Sequence, residues 1–132
     1  MKPINILAAT TALVMVATPA FAANWVYVGT NVRNAVHFFD ADTIRRSGNQ
    51  VTFWEKRDHS RDQTVKYREQ KTRYRIDCGE RTHKLLNAIE YYPDGRTESF
   101  DFFGASEQKA HVAVPESIME AMLEAVCAAT AP

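Results

Sequence analysis

One segment in the middle of the chain ends at the first of only two cysteines and shows a strict alternation of side-chain type. In residues 71–78 charged side chains alternate with apolar or hydroxyl ones: Lys71, Thr72, Arg73, Tyr74, Arg75, Ile76, Asp77, Cys78. Successive side chains of a strand point to opposite faces, so this period of two predicts a half-buried strand. A bond to the other cysteine, Cys127, would tie the end of the chain to the middle of a sheet.

The first 22 residues have the features of an export signal. Lys2 gives a basic start, residues 4–16 are apolar, and residues 18–22 end in a small-x-small cleavage pattern. The apolar run is shorter than the about 20 residues that span a bilayer. We predict cleavage after Ala22, with residues 23–132 forming one domain that has no transmembrane segment. An uncut membrane anchor is the alternative. Because Ala23 would follow the cut, we predict that the chain is not a lipoprotein.

Export bears on the chemistry of the two cysteines, because disulfides persist outside the reducing cytoplasm. Two cysteines in an exported chain most simply form one disulfide. The alternative is a redox or metal-binding thiol pair. That alternative is disfavoured because the sequence has no C-x-x-C and no nearby Cys/His spacing.

Short segments rich in β-branched and aromatic residues predict further strands. They are residues 24–28, 35–39, 50–56, 64–68, 82–92, 97–103 and 110–114. Residues 47–49 and 93–95 carry turn signals. The turn at residues 93–95 predicts a hairpin between the strand that precedes it and the strand that follows it. Residues 57–63 are wholly polar and are predicted to form an exposed loop.

Two strand assignments carry specific geometric expectations. The apolar positions change from odd to even numbers between residues 64–68 and 72–78, which requires a bulge or loop near residues 69–70. In residues 82–92, alternation places Leu85, Ile89 and Tyr91 on one face. A helix over residues 81–90 is the alternative there.

The C-terminal segment predicts an amphipathic helix. Its apolar rows lie at spacings of four: Ile118, Met122, Val126 and, beside them, Met119, Leu123, Cys127. Two cues for the helix start remain open, because Pro115 suits a first turn and Ser117 with Glu120 fits a capping box. Strands followed by one helix predict an α+β fold, with one antiparallel sheet of about five or six strands and the helix packed on it.

Aromatic residues are numerous enough to dominate a small core. We predict that the following are buried: Trp25, Phe38, Phe39, Phe53, Trp54, Tyr91, Phe102. An exposed aromatic that anchors a partner is the alternative for any one of them.

A set of marks spread over the whole mature chain resembles the surface-adhesin E domain, a family of exported bacterial proteins. In order they are Trp25, Phe39, Asp40, Ile44, Gly48, Val51, Trp54, residues 74–78, Gly95, Pro115, Ser117, Val126 and Cys127. The resemblance implies a curved antiparallel sheet, a C-terminal helix and a Cys78–Cys127 bridge. For the member that names the family, it also implies adhesion to host matrix or plasma proteins.

Charge is unevenly distributed along the chain. Residues 55–84 hold ten basic and six acidic side chains, whereas residues 85–132 hold two basic and eight acidic ones. We predict that basic residues of the first part bind a partner: Arg57, Arg61, Lys66, Arg68, Lys71, Arg73, Arg75. An acidic partner fits them, such as a host matrix protein, a polysaccharide or an envelope component. The alternative is a solvated strand face with cross-strand ion pairs, and nucleic acid is not expected in this compartment.

No catalytic or cofactor motif stands out in the sequence. The four histidines are far apart, and no pair has the spacing of a helical metal site. We therefore predict a non-enzymatic, adhesin-like binding module without cofactor or metal, located in the periplasm or at the cell surface. A structural or accessory envelope protein, such as a homodimer, is the alternative, and an enzyme or an enzyme inhibitor is the third hypothesis.

Overall fold

The computed structural model describes residues 22–102 and 109–130, which form a single sheet and a helix. The strands are β1 Trp25–Thr30, β2 Val36–Asp40, β3 Arg45–Ser47, β4 Gln50–Asp58, β5 Glu69–Asp77, β6 Thr82–Tyr91, β7 Thr97–Asp101 and β8 His111–Val112. A 3-10 turn at Ala41–Thr43 follows β2, and the helix α1 is Ile118–Ala129. The predicted signal segment, up to residue 21, lies outside the described residues.

The sheet is antiparallel and has the order β1-β2-β4-β5-β6-β7, with β3 also pairing with β4 and β8 with β6. Its centre is the long pair β4–β5, which runs in unbroken register from Gln50 opposite Asp77 to Asp58 opposite Glu69. The strand predicted from the alternation of residues 71–78 is therefore confirmed as a central strand. The predicted α+β architecture is confirmed as well.

One face of the sheet, here called the inner face, packs against α1. Val51, Phe53 and Ile76 are fully buried on it, because they occupy alternate positions of the two central strands. The helix contributes its own buried stripe: Met122, Leu123, Val126. Cys78 follows β5 directly and bonds Cys127, with an S–S distance of 2.09 Å. The predicted disulfide is confirmed, and it fixes the helix to the inner face.

The structure decides between the two helix starts in favour of Ser117. The Ser117 hydroxyl accepts a hydrogen bond from the backbone N–H of Glu120 at 3.1 Å. In return, the Glu120 carboxylate accepts from the backbone N–H of Glu116 at 2.6 Å. The pair thus works as a capping box whose second bond reaches one residue further back than usual, and Pro115 precedes the helix.

The prediction of an exposed loop at residues 57–63 is wrong in two respects. Strand β4 continues through Asp58, and the next residues include the buried side chains His59 and Asp62. His59 Nδ1 lies 2.9 Å from one Asp62 carboxylate oxygen, and the other oxygen accepts from Thr64. The Thr64 hydrogen bonds lower the pKa of Asp62 to about 2. The buried side chains of this loop thus pair with one another in part, and His59 Nε2 has no hydrogen-bond partner among the described residues.

The predicted strand at residues 64–68 is also wrong, since this segment is irregular and β5 begins at Glu69. The change of parity near residues 69–70 marks the start of a strand, rather than a bulge inside one.

The bulge lies instead between β5 and β6. Arg73 is opposite Asn87 and Tyr74 is opposite Leu85, so Leu86 is an extra residue in β6. As a result Leu85 packs against the inner core, whereas Ile89 lies on the other face. The prediction that Leu85 and Ile89 share a face is wrong for this reason, and the helix alternative for residues 81–90 is wrong as well.

Candidate functional site

The face of the sheet opposite α1, here called the outer face, carries alternate side chains of β4, β5 and β6. Its members on the three strands are Gln50, Thr52, Trp54, Lys56, Asp58, Glu69, Lys71, Arg73, Arg75, Asp77, Thr82, Lys84, Asn87, Ile89 and Tyr91. Because successive strand residues point to opposite sides, the same alternation that buries Val51 and Phe53 presents these residues outward. Five of these fifteen residues are cations, and three are acids: Asp58, Glu69, Asp77.

Aromatic residues share the outer face with these cations. Phe39 and Phe53 are buried as predicted, but Trp25, Phe38, Trp54 and Tyr91 lie on the outer side and are only half-buried. The prediction that all of them belong to the core is therefore wrong for these four. Phe102 is also only half-buried.

Two lysines of the outer face rest on aromatic rings. Lys56 Nζ lies 4.8 Å from the centre of the Trp25 ring and 4.7 Å from that of Phe38. Lys71 Nζ lies 4.9 Å from the Tyr91 ring and 3.5 Å from the Glu69 carboxylate. Such contacts hold a cation over the negative face of the ring, and each is worth about 0.5–1 kcal/mol at an exposed site.

The pairing across the strands is unusual, because like charges stand directly opposite each other. Lys56 is opposite Lys71, and Arg75 is opposite Lys84. Directly opposed like charges destabilise a sheet. The expectation of cross-strand ion pairs does not describe these positions.

The two arginines of the outer face have no side-chain partner among the described residues. Within residues 22–102 and 109–130, neither Arg73 nor Arg75 forms an ion pair or a side-chain hydrogen bond. On β4, Arg73 faces Trp54 and Arg75 faces Thr52, and neither of these can neutralise a guanidinium. Both arginines are therefore available for bidentate contact with an anion.

Each arginine borders a cleft. The first, here called the Trp54 cleft, has a volume of about 410 Å³ and is lined by Trp54, Arg73, Asn87, Ala88, Ile89, Ser99, Phe100 and the acid Asp101. The second, here called the Arg75 cleft, has a volume of about 260 Å³ and is lined by Gln50, Arg75, Asp77, Thr82, Lys84 and Ala110.

The single acid of the Arg75 cleft is already engaged. One Asp77 carboxylate oxygen accepts from the Gln50 amide at 2.8 Å, and the other accepts from the backbone N–H groups of Gly79 and Glu80, each at 2.9 Å. Asp77 thus stabilises the turn after β5. Arg75 and Lys84 are left as the cations that face the open part of the cleft.

The seven basic residues predicted to bind a partner fall into three places. Lys71, Arg73 and Arg75 lie together on the outer face. Arg61, Lys66 and Arg68 are exposed on the irregular segment between β4 and β5. Arg57 lies apart from both groups, because it projects from the inner side of β4. Which of them bind a partner stays a prediction.

Arg57 belongs to a buried polar cluster that the sequence analysis missed. Its Nε donates to Glu55 at 3.0 Å, and a terminal nitrogen donates to the Tyr74 hydroxyl at 2.7 Å. His37 Nδ1 is 2.6 Å from Glu55, and its Nε2 is 3.1 Å from the Asn31 amide. The available signal was the alternation itself, which puts Glu55 in line with Val51 and Phe53.

Charges in this cluster are balanced, as their pKa values show. Burial alone raises the pKa of Glu55, but the hydrogen bond from His37 and the charge of Arg57 outweigh it and hold the pKa below 4.5. Burial lowers the pKa of Arg57, and the Glu55 charge more than reverses this. Burial and then the Glu55 charge raise the pKa of Tyr74 to about 12. Both ring nitrogens of His37 form hydrogen bonds within the cluster. The cluster therefore stabilises the inner face.

Two further features are absent from the described part of the chain. Within it, no three side chains of His, Cys, Asp or Glu come together as ligands for a metal ion. No helix among the described residues has the length and apolarity needed to cross a bilayer.

Comparison with known proteins places the chain beside one family. Residues 25–128 match the family model described as surface-adhesin protein E. The selenomethionine form of Haemophilus influenzae protein E is 15% identical, with a TM-score of 0.59, covering 89% of this chain and 98% of that one. Crystal form II of the same protein is 15% identical, with a TM-score of 0.57, covering 86% and 94%. At these identities the likeness shows a shared fold. No curated protein matches the chain significantly.

Proposed function

The chain belongs to the surface-adhesin protein E family, and we propose that it is an exported, non-enzymatic binding protein that holds an acidic macromolecule on the outer face of its sheet. The observation that carries this proposal is the pair of arginines without a side-chain partner among the described residues, Arg73 and Arg75, each beside its own cleft.

The charge arrangement supports a ligand rather than a purely structural role. On the inner face the charged residues Glu55 and Arg57 are paired, as folding requires of buried charges. On the outer face, the pairs Lys56–Lys71 and Arg75–Lys84 set like charges opposite each other. Glu69 offsets part of that repulsion at Lys71, and an anionic partner would relieve the repulsion between Arg75 and Lys84. The net positive field would also speed the encounter with such a partner.

The experiment compares two variants that lose the same charge. One carries Lys71→Ser, Arg73→Ser and Arg75→Ser, and the other carries Arg61→Ser, Lys66→Ser and Arg68→Ser on the irregular segment. Both are tested as mature protein for binding to immobilised heparin, hyaluronan and poly-L-glutamate. We expect the outer-face variant to lose binding by more than tenfold and the loop variant to lose less than threefold.

Two results would contradict the proposal. Unchanged binding by the outer-face variant would remove the outer face as the site. Equal losses in both variants would show that only the total charge matters, since both remove three cations. Thermal unfolding of each variant checks that the fold is intact.

Export and location are tested in the native host. We propose cleavage after Ala22, so the N-terminus of the mature protein should begin at Ala23. Digestion by protease added to intact cells would place the protein at the surface. Protection until the outer membrane is opened would place it in the periplasm and would set host adhesion aside.

A structural or accessory role is the second candidate. The terminal strands β1 and β7 each pair with only one neighbour within the described residues, and Tyr27 on β1 is 60% exposed. Open edges of this kind can pair with a second chain. Light scattering of the mature protein tests the homodimer, and a monomer at all concentrations would count against this role.

A further inference from the structure

We propose that the acidic partner is a glycan, with one sugar ring seated against Trp54 in the Trp54 cleft and the carboxylate of that sugar held by Arg73. This inference rests on the proposed function and narrows it to a class of ligand. The class is an acidic polysaccharide built from uronate sugars.

Trp54 and Arg73 form the first part of the site. They stand directly opposite each other on β4 and β5, and both line the same cleft. Opposed positions of this kind place the two Cβ atoms about 5 Å apart. An indole offers a flat surface with a negative face, which attracts the polarised C–H groups on the face of a sugar ring. A ring resting there presents its edge substituents toward the neighbouring guanidinium.

Asn87 and Ser99 give the cleft hydrogen-bonding groups that match sugar hydroxyls. Both line the Trp54 cleft, Asn87 beside Arg73 on β6 and Ser99 on β7. An amide and a hydroxyl each donate and accept hydrogen bonds, as sugar hydroxyls do. The hydroxyls around a sugar ring can therefore donate to the Asn87 carbonyl oxygen and accept from its NH₂ group. Unmatched polar groups in a closed contact cost affinity.

The dimensions suit a chain of sugars. The Trp54 cleft, at about 410 Å³, falls within the roughly 300–1,000 Å³ of small-ligand sites. Arg75 is two residues beyond Arg73 on the same face, a step of about 6.7 Å along the strand. The Arg75 cleft, with Lys84 beside Arg75, is therefore placed to receive the anionic group of an adjoining sugar.

The test uses the fluorescence of Trp54. The chain has two tryptophans, so Trp25→Phe leaves Trp54 as the only one. Hyaluronan oligosaccharides, which carry carboxylates and no sulfate, are titrated into this mature variant at low salt. We expect a saturable change in emission. Dextran, a neutral glycan, should produce none.

Arg73→Gln should weaken hyaluronan binding by more than tenfold. Arg33→Gln is the matched control, because Arg33 is an exposed arginine in the turn between β1 and β2 and its loss changes the net charge equally. The control should change affinity by less than twofold. Trp54→Phe keeps an aromatic ring at the position and should weaken binding several-fold, as measured by calorimetry. Equal losses for Arg73→Gln and Arg33→Gln would overturn the proposal.

Poly-L-glutamate separates this proposal from the broader one. Binding of poly-L-glutamate that is lost in the outer-face variant, with no response to hyaluronan, would overturn the glycan assignment and leave the proposed function standing. A protein that binds none of the acidic polymers would contradict both.

Discussion

The inner and outer faces are built from the same strands, yet they differ in how their charged side chains are paired. Phe53 is 1% exposed under the helix, whereas its chain neighbour Trp54 lines an open cleft. On the inner face Glu55 contacts both His37 and Arg57, so its charge is compensated. On the outer face, Lys56 stands opposite Lys71 and Arg75 stands opposite Lys84. Of these four cations, Lys71 alone forms an ion pair within the described residues, with Glu69. The inner face therefore serves the fold, and the outer face is where we propose that a partner binds.

The largest effect should come from two adjacent substitutions that fall on opposite faces. Phe53→Ala removes a fully buried ring and should lower the free energy of unfolding by about 3–5 kcal/mol. Trp54→Ala should cost clearly less, because its ring already contacts solvent. Urea denaturation measures both, and similar losses would contradict the assignment of Trp54 to an open face.

Removing the disulfide should destabilise the packing of the helix on the inner face without changing any residue of the outer face. The bond closes a separation of 49 residues, for which the chain-entropy model gives about 4 kcal/mol as an upper value. Cys78→Ser with Cys127→Ser should therefore lower the melting temperature strongly. At temperatures where the variant is still folded, its binding to acidic polymers should match that of the parent. Lost binding in a folded variant would show that the two faces are coupled.

The buried carboxylate of Glu55 provides an intermediate effect. Glu55→Gln removes a charge that His37 and Arg57 both contact, and we expect a loss of about 1–3 kcal/mol. Glu69→Gln, at the edge of the outer face, is the control and should change stability by less than about 0.5 kcal/mol, as for a surface ion pair. A larger loss from Glu69→Gln than from Glu55→Gln would contradict the contrast between the faces.

Glu55 also predicts how stability responds to acid. Its pKa is below 4.5 in the folded protein, so its stabilising contribution is complete above that value and is lost as the pH falls through the folded pKa. The parent protein should therefore lose stability below about pH 4.5 more steeply than Glu55→Gln does. Parallel curves in thermal unfolding scans would argue against this.

The smallest effect should come from His83, near the edge of the inner face. Burial, and then the neighbouring His111, lower the pKa of His83 below 6.5. The unfolded chain then binds the proton more readily, so the contribution of His83 is present above pH 6.5 and decreases as the pH falls below it. His83→Gln should flatten the stability curve between about pH 7 and 5. An unchanged slope would show that His83 titrates normally.

Local patterns in the sequence determined the outline of the fold. The alternation in residues 71–78 predicted β5, because a period of two has one regular structural solution. The rows of apolar residues from Ile118 predicted the helix, and the two cysteines predicted its attachment to the sheet. Each of these inferences depends on residues whose spacing is fixed by the backbone.

Only the tertiary structure decided which face was covered and where the clefts lie. Alternation separates two faces, but Phe53 and Trp54 are both aromatic, so it does not show which of them meets the helix. The extra residue Leu86 shifts β6 by one position and sends Ile89 outward, which no local pattern revealed. The burial of His59 depends on its contact with Asp62. These features follow from packing and strand pairing between segments that are distant in the chain. The free energies of such contacts cannot be read from any short stretch of sequence.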